Sequence, residues 1–162
     1  MKLIKALLLA ATLAASTSAF ALDSSESIAY TDALQQGDLA YVKKVLDSGA
    51  FGVDEKREFF GWTSLQIAAN KGQLAVVKEL IARKANLNYQ HEMTKNTAFH
   101  LAAMSGHKEV VKALAEAGAD VNLKLRAGVG IIRVVRDMGN TEMVDLLLAL
   151  GVRDEGCEGE CF

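Results

Sequence analysis

Gly61-Trp62-Thr63-Ser64-Leu65-Gln66-Ile67-Ala68-Ala69-Asn70-Lys71-Gly72 is echoed by Lys95-Asn96-Thr97-Ala98-Phe99-His100-Leu101-Ala102-Ala103-Met104-Ser105-Gly106. The offset is 34 residues, and it persists downstream, where Ala85-Asn86-Leu87-Asn88 returns as Ala119-Asp120-Val121-Asn122. A period near 33 residues marks stacked supersecondary units, none of which can bury its apolar face alone. The residue types fit such a stack. Paired alanines, Ala68-Ala69 and Ala102-Ala103, let neighbouring helices approach closely. Val76, Val77, Leu80 and Ile81, matched by Val110, Val111 and Leu114, fall at the spacing of one buried helix face. Gly72 and Gly106 sit between two helices, and Gly118 ends one, where a left-handed backbone costs glycine little.

Thr97-Ala98-Phe99-His100, followed by two alanines and Gly106-His107, resembles the ankyrin signature, as does Gly118-Ala119-Asp120-Val121-Asn122. The resemblance covers roughly residues 27–152. It implies an all-α ankyrin-repeat solenoid of about four helix-turn-helix units, near 27–60, 61–94, 95–127 and 128–152, joined by β-hairpin-like loops. Units two and three match well, whereas one and four are degenerate, as repeats with one face toward water can be. Unit one keeps Gly37-Asp38-Leu39 and Gly49-Ala50, then gains a residue before Val53-Asp54. Unit four has Gly130-Ile131-Ile132-Arg133 in place of the threonine signature. The family's proline is replaced throughout, by Ser64, Ala98 and Ile131, and Gln66 stands where the family prefers histidine. These departures predict somewhat weaker individual repeats.

Ahead of the repeats, Met1 to Ala21 puts Lys2 and Lys5 before an apolar run, Ala6 to Ala15, and ends in Ala19-Phe20-Ala21, the pattern of a cleavable secretory signal peptide. That run is too short to span a bilayer about 30 Å thick, and no later stretch offers the roughly 20 apolar residues that spanning needs. The expected destination is the periplasm or the medium, without membrane insertion. Cleavage would remove two of the 18 basic residues and none of the 20 acidic ones, leaving a net charge of about −4, a poor balance for nucleic acid.

The residues suggest no catalytic set: neither a nucleophile with its base, nor paired carboxylates in a cleft, nor a metal-ligand cluster. His100 fills the signature position that ties a turn together, His107 follows the inter-helix glycine, and His91 lies in a hairpin. No cofactor is expected. The tail from Arg153 to Phe162 holds four carboxylates and two thiols, Cys157 and Cys161, and three readings compete for it. A local disulfide suits an oxidising compartment, and its short loop limits the gain to about 2 kcal/mol. Two thiolates could hold a soft metal if further ligands came from elsewhere. A redox role needs more than CxxxC spacing.

In ankyrin stacks the hairpin tips and the inner side of the first helices form the docking surface. By that resemblance the candidate partner-binding residues are Phe59, Phe60, Trp62, Asn70 and Lys71 in unit two, and Tyr89, His91, Met93, Met104 and Ser105 in unit three. Leu123, Leu125 and Arg126, with Asp137 and Met138, extend the set to unit four. Aromatic residues, methionine and arginine are enriched at the energetic centres of interfaces. The mixed-sign run Asp54-Glu55-Lys56-Arg57-Glu58 reads as a solvated loop. The sequence thus predicts a monomeric module that binds another protein and performs no catalysis. Three uses stay open: occluding an exported enzyme such as a cell-wall hydrolase, a metal- or redox-linked protective function of the tail, and scaffolding.

Overall fold

A computed structural model describes residues 24–57 and 61–154 of the 162-residue chain. The predicted signal peptide, Phe59, Phe60, Cys157 and Cys161 lie outside the described residues. Four helix pairs follow one another: α1 (Ser24–Gln36) with α2 (Leu39–Ser48), α3 (Ser64–Asn70) with α4 (Leu74–Ala82), α5 (Ala98–Met104) with α6 (Lys108–Glu116), and α7 (Ile131–Asp137) with α8 (Thr141–Ala149). First helices pack in the order α1, α3, α5, α7, and the second helices α2, α4 and α6 form a layer behind them. The all-α repeat solenoid expected from the sequence is the observed architecture.

Each second helix drives one aliphatic face inward. Val42 and Val45, then Val76, Val77 and Leu80, then Val110, Val111 and Leu114, then Met143, Val144 and Leu147 form the shared core. Each such side chain removed from water contributes about 1.5–3 kcal/mol before conformational entropy is counted. Ala68, Ala69, Ala102 and Ala103 are buried between the layers, which is why they are small. Gly72 closes the turn between α3 and α4 at φ +74°, and a Cβ there would lie 2.5 Å from Nδ1 of His107. Glycine is thus fixed by backbone and by neighbour.

The helix starts follow from local chemistry. Thr63 accepts from the backbone N–H of Gln66 while the Gln66 side chain accepts from the Thr63 N–H, a reciprocal capping box. Thr97 and His100 repeat it in α5. Gln66 therefore keeps the capping function of the family's histidine, and its Nε2 also donates to the Asn96 carbonyl at 2.8 Å. Ser64, standing where the family has proline, lies 3.2 Å from the hydroxyl of the fully buried Tyr30, supplying a partner that proline could not.

Between units the chain crosses in tight loops that one side-chain position stitches together. Asp54, Asn88 and Asn122 recur every 34 residues, and each accepts from a backbone N–H of the next loop, those of Asn86, Asp120 and Arg153, at 2.8 Å. The extra residue of unit one is absorbed before Asp54, so the register survives.

The charged run 54–58 is only partly solvated. Asp54, Glu55 and Lys56 are exposed, but Arg57 is 3% exposed. Tyr30 and Phe51 stack at 5.3 Å, and the Arg57 guanidinium carbon lies 4.4 Å from the Phe51 ring centre and 5.1 Å from that of Tyr30. The aromatic pair, formed between α1 and the loop after α2, gives the cation a seat that sequence patterning does not reveal.

Candidate functional site

The predicted contact residues that are described fall into two rows, at the two ends of the short first helices. A seven-residue helix is about 10 Å long, so the rows run parallel across the stack at that spacing. One row follows the hairpin loops and the other the turns between first and second helices.

In the hairpin row, five of the seven described predicted residues are tied into the scaffold. Trp62 is half-buried against the core, and its carbonyl accepts from Arg57 N–H. Tyr89 is half-buried, with its hydroxyl 3.4 Å from the Gly61 carbonyl and the Lys56 ammonium 5.5 Å from its ring centre. His91 closes its own turn, with Nδ1 accepting from Thr94 N–H at 3.3 Å and lying 3.1 Å from Thr94 Oγ1. Leu123 is half-buried and offers its carbonyl to His100. Leu125 is corrected: at 9% exposure it belongs to the core, because the loop before α7 turns it inward to cover the apolar start of that helix. Met93, at 72% exposure, and Arg126 stand open to solvent.

The second row is polar and knitted between units. Ser105 Oγ donates to Asn70 Oδ1 at 3.1 Å, and His107 Nε2 lies 3.0 Å from the Asn70 carbonyl. Lys71, Asp137 and Met138 are exposed, Met138 to 58%, and Met104 is half-buried against the core. The row therefore presents its changing residues, Asn70, Met104 and Asp137 and then Lys71, Ser105 and Met138, on a turn of fixed shape.

His100 is fully buried. Its Nδ1 accepts from Thr97 N–H at 3.1 Å, so the proton sits on Nε2, which donates to the Leu123 carbonyl at 3.0 Å. Burial pushes its pKa down to about 4, against a smaller upward pull from that carbonyl, so the ring is a neutral structural link at physiological pH. Burial likewise raises the pKa of the Tyr30 hydroxyl. Among the described residues, no group of three or more His, Cys, Asp or Glu could hold a metal ion, and no helix is long and apolar enough to cross a membrane.

Sequence reasoning missed Lys95. It occupies the place, two residues before the first helix's cap, that glycine holds in the flanking loops: Gly61 before Thr63 and Gly128 before Gly130. All three have positive φ, +62°, +60° and +73° in chain order, and only Lys95 pays for a side chain there. Aligning the three loops on their caps would have exposed it.

A stack of helix pairs with an inward aliphatic face, capped first helices and stitched loops defines a repeat module whose variable residues lie on its rim. A model of ankyrin repeats in three copies matches residues 30–124, and the chain belongs to the ankyrin-repeat family. It is 34% identical over 120 residues to ankyrin repeat and SAM domain-containing protein 6 of Rattus norvegicus, covering 73% of this chain and 13% of that protein. Palmitoyltransferase AKR1 of Lachancea kluyveri is 30% identical over 129 residues, 78% of this chain and 17% of its own length. A putative ankyrin repeat protein of Rickettsia felis is 27% identical over 121 residues, 75% of this chain and 41% of its own. The chain thus spans less than half the length of each of these relatives. What it shares with them is an ankyrin-repeat protein-interaction module.

Proposed function

We propose that this protein is exported and acts by occlusion: it covers a surface on a periplasmic or secreted enzyme, such as a cell-wall hydrolase, as an inhibitor or self-protection protein without chemistry of its own. The observation that carries the reading is the pairing of two rim rows, with Met93 and Met138 open to solvent, on a scaffold whose His100 and His107 are spent on structural bonds. Export is supported by the pattern of residues 1–21. The alternative metal- or redox-linked use of the tail rests on Cys157, Cys161 and the tail carboxylates, with His91 as a further ligand.

Capture of exported proteins from the native host on the purified protein, followed by activity assays of whatever is retained, tests the proposal. Recovery of one enzyme whose activity drops at stoichiometric ratio supports it. A retained partner with unchanged activity favours scaffolding. If no protein is retained while metal is held at unit stoichiometry, the tail becomes the functional element. Cys157→Ser with Cys161→Ser should leave partner binding unchanged under occlusion.

A further inference from the structure

The hairpin tips differ in how their charges are spent. At the junction of the first two loops, Lys56 and Glu92 pair at 2.6 Å, and the Lys56 cation also lies over Tyr89. That tip is electrostatically closed. At the next junction Arg126 N–H donates to the Thr94 carbonyl at 3.2 Å, which brings Arg126 beside the turn carrying Met93 and Lys95. Lys95 and Arg126 are exposed and form no salt bridge among the described residues; Lys95 acts on Glu92 of its own turn only at longer range, Glu92 being held by Lys56. Met93, on the same turn as Lys95, is 72% exposed.

The backbone adds an independent sign. Lys95 holds φ +60° at the position that the flanking loops give to Gly61 and Gly128, an unfavourable conformation for a residue with a Cβ. Its side chain forms no salt bridge among the described residues, which leaves the ammonium available to a partner outside the chain.

We propose that Met93, Lys95 and Arg126 form the docking tip for an acidic segment of a partner protein: two carboxylates meet Lys95 and Arg126, and an apolar side chain between them covers Met93. This rests on the protein-binding reading above and names the chemistry that the partner must present. The tip combines an exposed apolar contact with neighbouring cations that steer the encounter.

The test is a titration of the 15N-labelled protein with a synthetic eight-residue peptide carrying glutamates on both sides of a central leucine. Its controls are the same peptide with lysine for glutamate and the same peptide with glycine for leucine. The expected result is saturable movement of the Met93–Lys95 and Arg126 amides, at least fivefold weaker with the glycine peptide and absent with the lysine one. Lys95→Gly should weaken binding at least fivefold while raising the thermal midpoint by about 2–5 °C, since glycine accepts the positive φ. Arg126→Ser should weaken it without moving the midpoint. No saturation at millimolar peptide, equal binding of the lysine peptide, or shifts confined to Asn70 and Lys71 would overturn the tip assignment. A natural partner retained in full by the Lys95→Gly, Arg126→Ser variant would also overturn it, leaving the broader reading intact; recovery of no partner protein would count against the broader reading instead.

Discussion

Asp38, Gln73, His107 and Asn140 open the second helices of the four units, and the middle two behave differently from the outer two. Asp38 and Asn140 turn a side-chain oxygen onto their own helix, accepting from Tyr41 N–H at 3.0 Å and Met143 N–H at 3.1 Å. Gln73 and His107 make no such cap and reach instead to the preceding unit, to the carbonyls of Gln35 at 2.6 Å and Asn70 at 3.0 Å. The first helices show the same division. Gln66 and His100 link capping boxes to the next loop, whereas α7 begins at Gly130 without a side-chain cap and has Arg133 at the matching place. Middle units are bonded to a neighbour on both sides, whereas an end unit is bonded on one.

The largest way to break the middle is acid. His100 titrates near 4 in the fold and near 6.5 when unfolded, so the unfolded chain binds the proton first as pH falls. Stability from this group is complete above about pH 6.5 and is lost as pH falls toward 4, by about 3 kcal/mol. His100→Gln, which installs the residue that unit two already uses at Gln66, should flatten that slope in urea denaturation followed at several pH values. Gly72→Ala comes next. Its positive φ and the clash with His107 should cost about 2–3 kcal/mol, whereas Gly139→Ala in unit four, at φ +75° with nothing within 4 Å of the added Cβ, should cost about 1 kcal/mol. His100→Ala should cost about 2 kcal/mol by stranding the Thr97 N–H and the Leu123 carbonyl, against less than about 0.5 kcal/mol for Arg133→Ala. Asn140→Ala, the loss of a single local cap, should cost about 1 kcal/mol in the same assay.

Much of this was legible in the sequence because repeats compare themselves. The 34-residue register located the paired alanines, the inward valines and leucines, and the structural use of His100 and His107. The expectation that Gln66 and Ser64 weaken their unit overlooked what their side chains reach: Gln66 makes the bonds a histidine would, and Ser64 meets the Tyr30 hydroxyl. Arg57 was illegible because its seat is two aromatic rings, Tyr30 and Phe51, brought together only by the fold. Leu125 was misplaced because the loop before α7 is shorter than its predecessor and turns the side chain into the core. The exposed tip was read in part, through Met93 and Arg126. Lys95 needed alignment on the caps rather than on the signature.

Native-state hydrogen exchange, residue by residue, tests the division between middle and ends most directly. Amides of α3, α5 and α6 should exchange slowest, near the rate set by global unfolding, and those of α7 and α8 at least tenfold faster through local opening. Uniform protection along the chain, or α7 and α8 outlasting α5, would contradict a centre held from both sides more tightly than the ends are held from one.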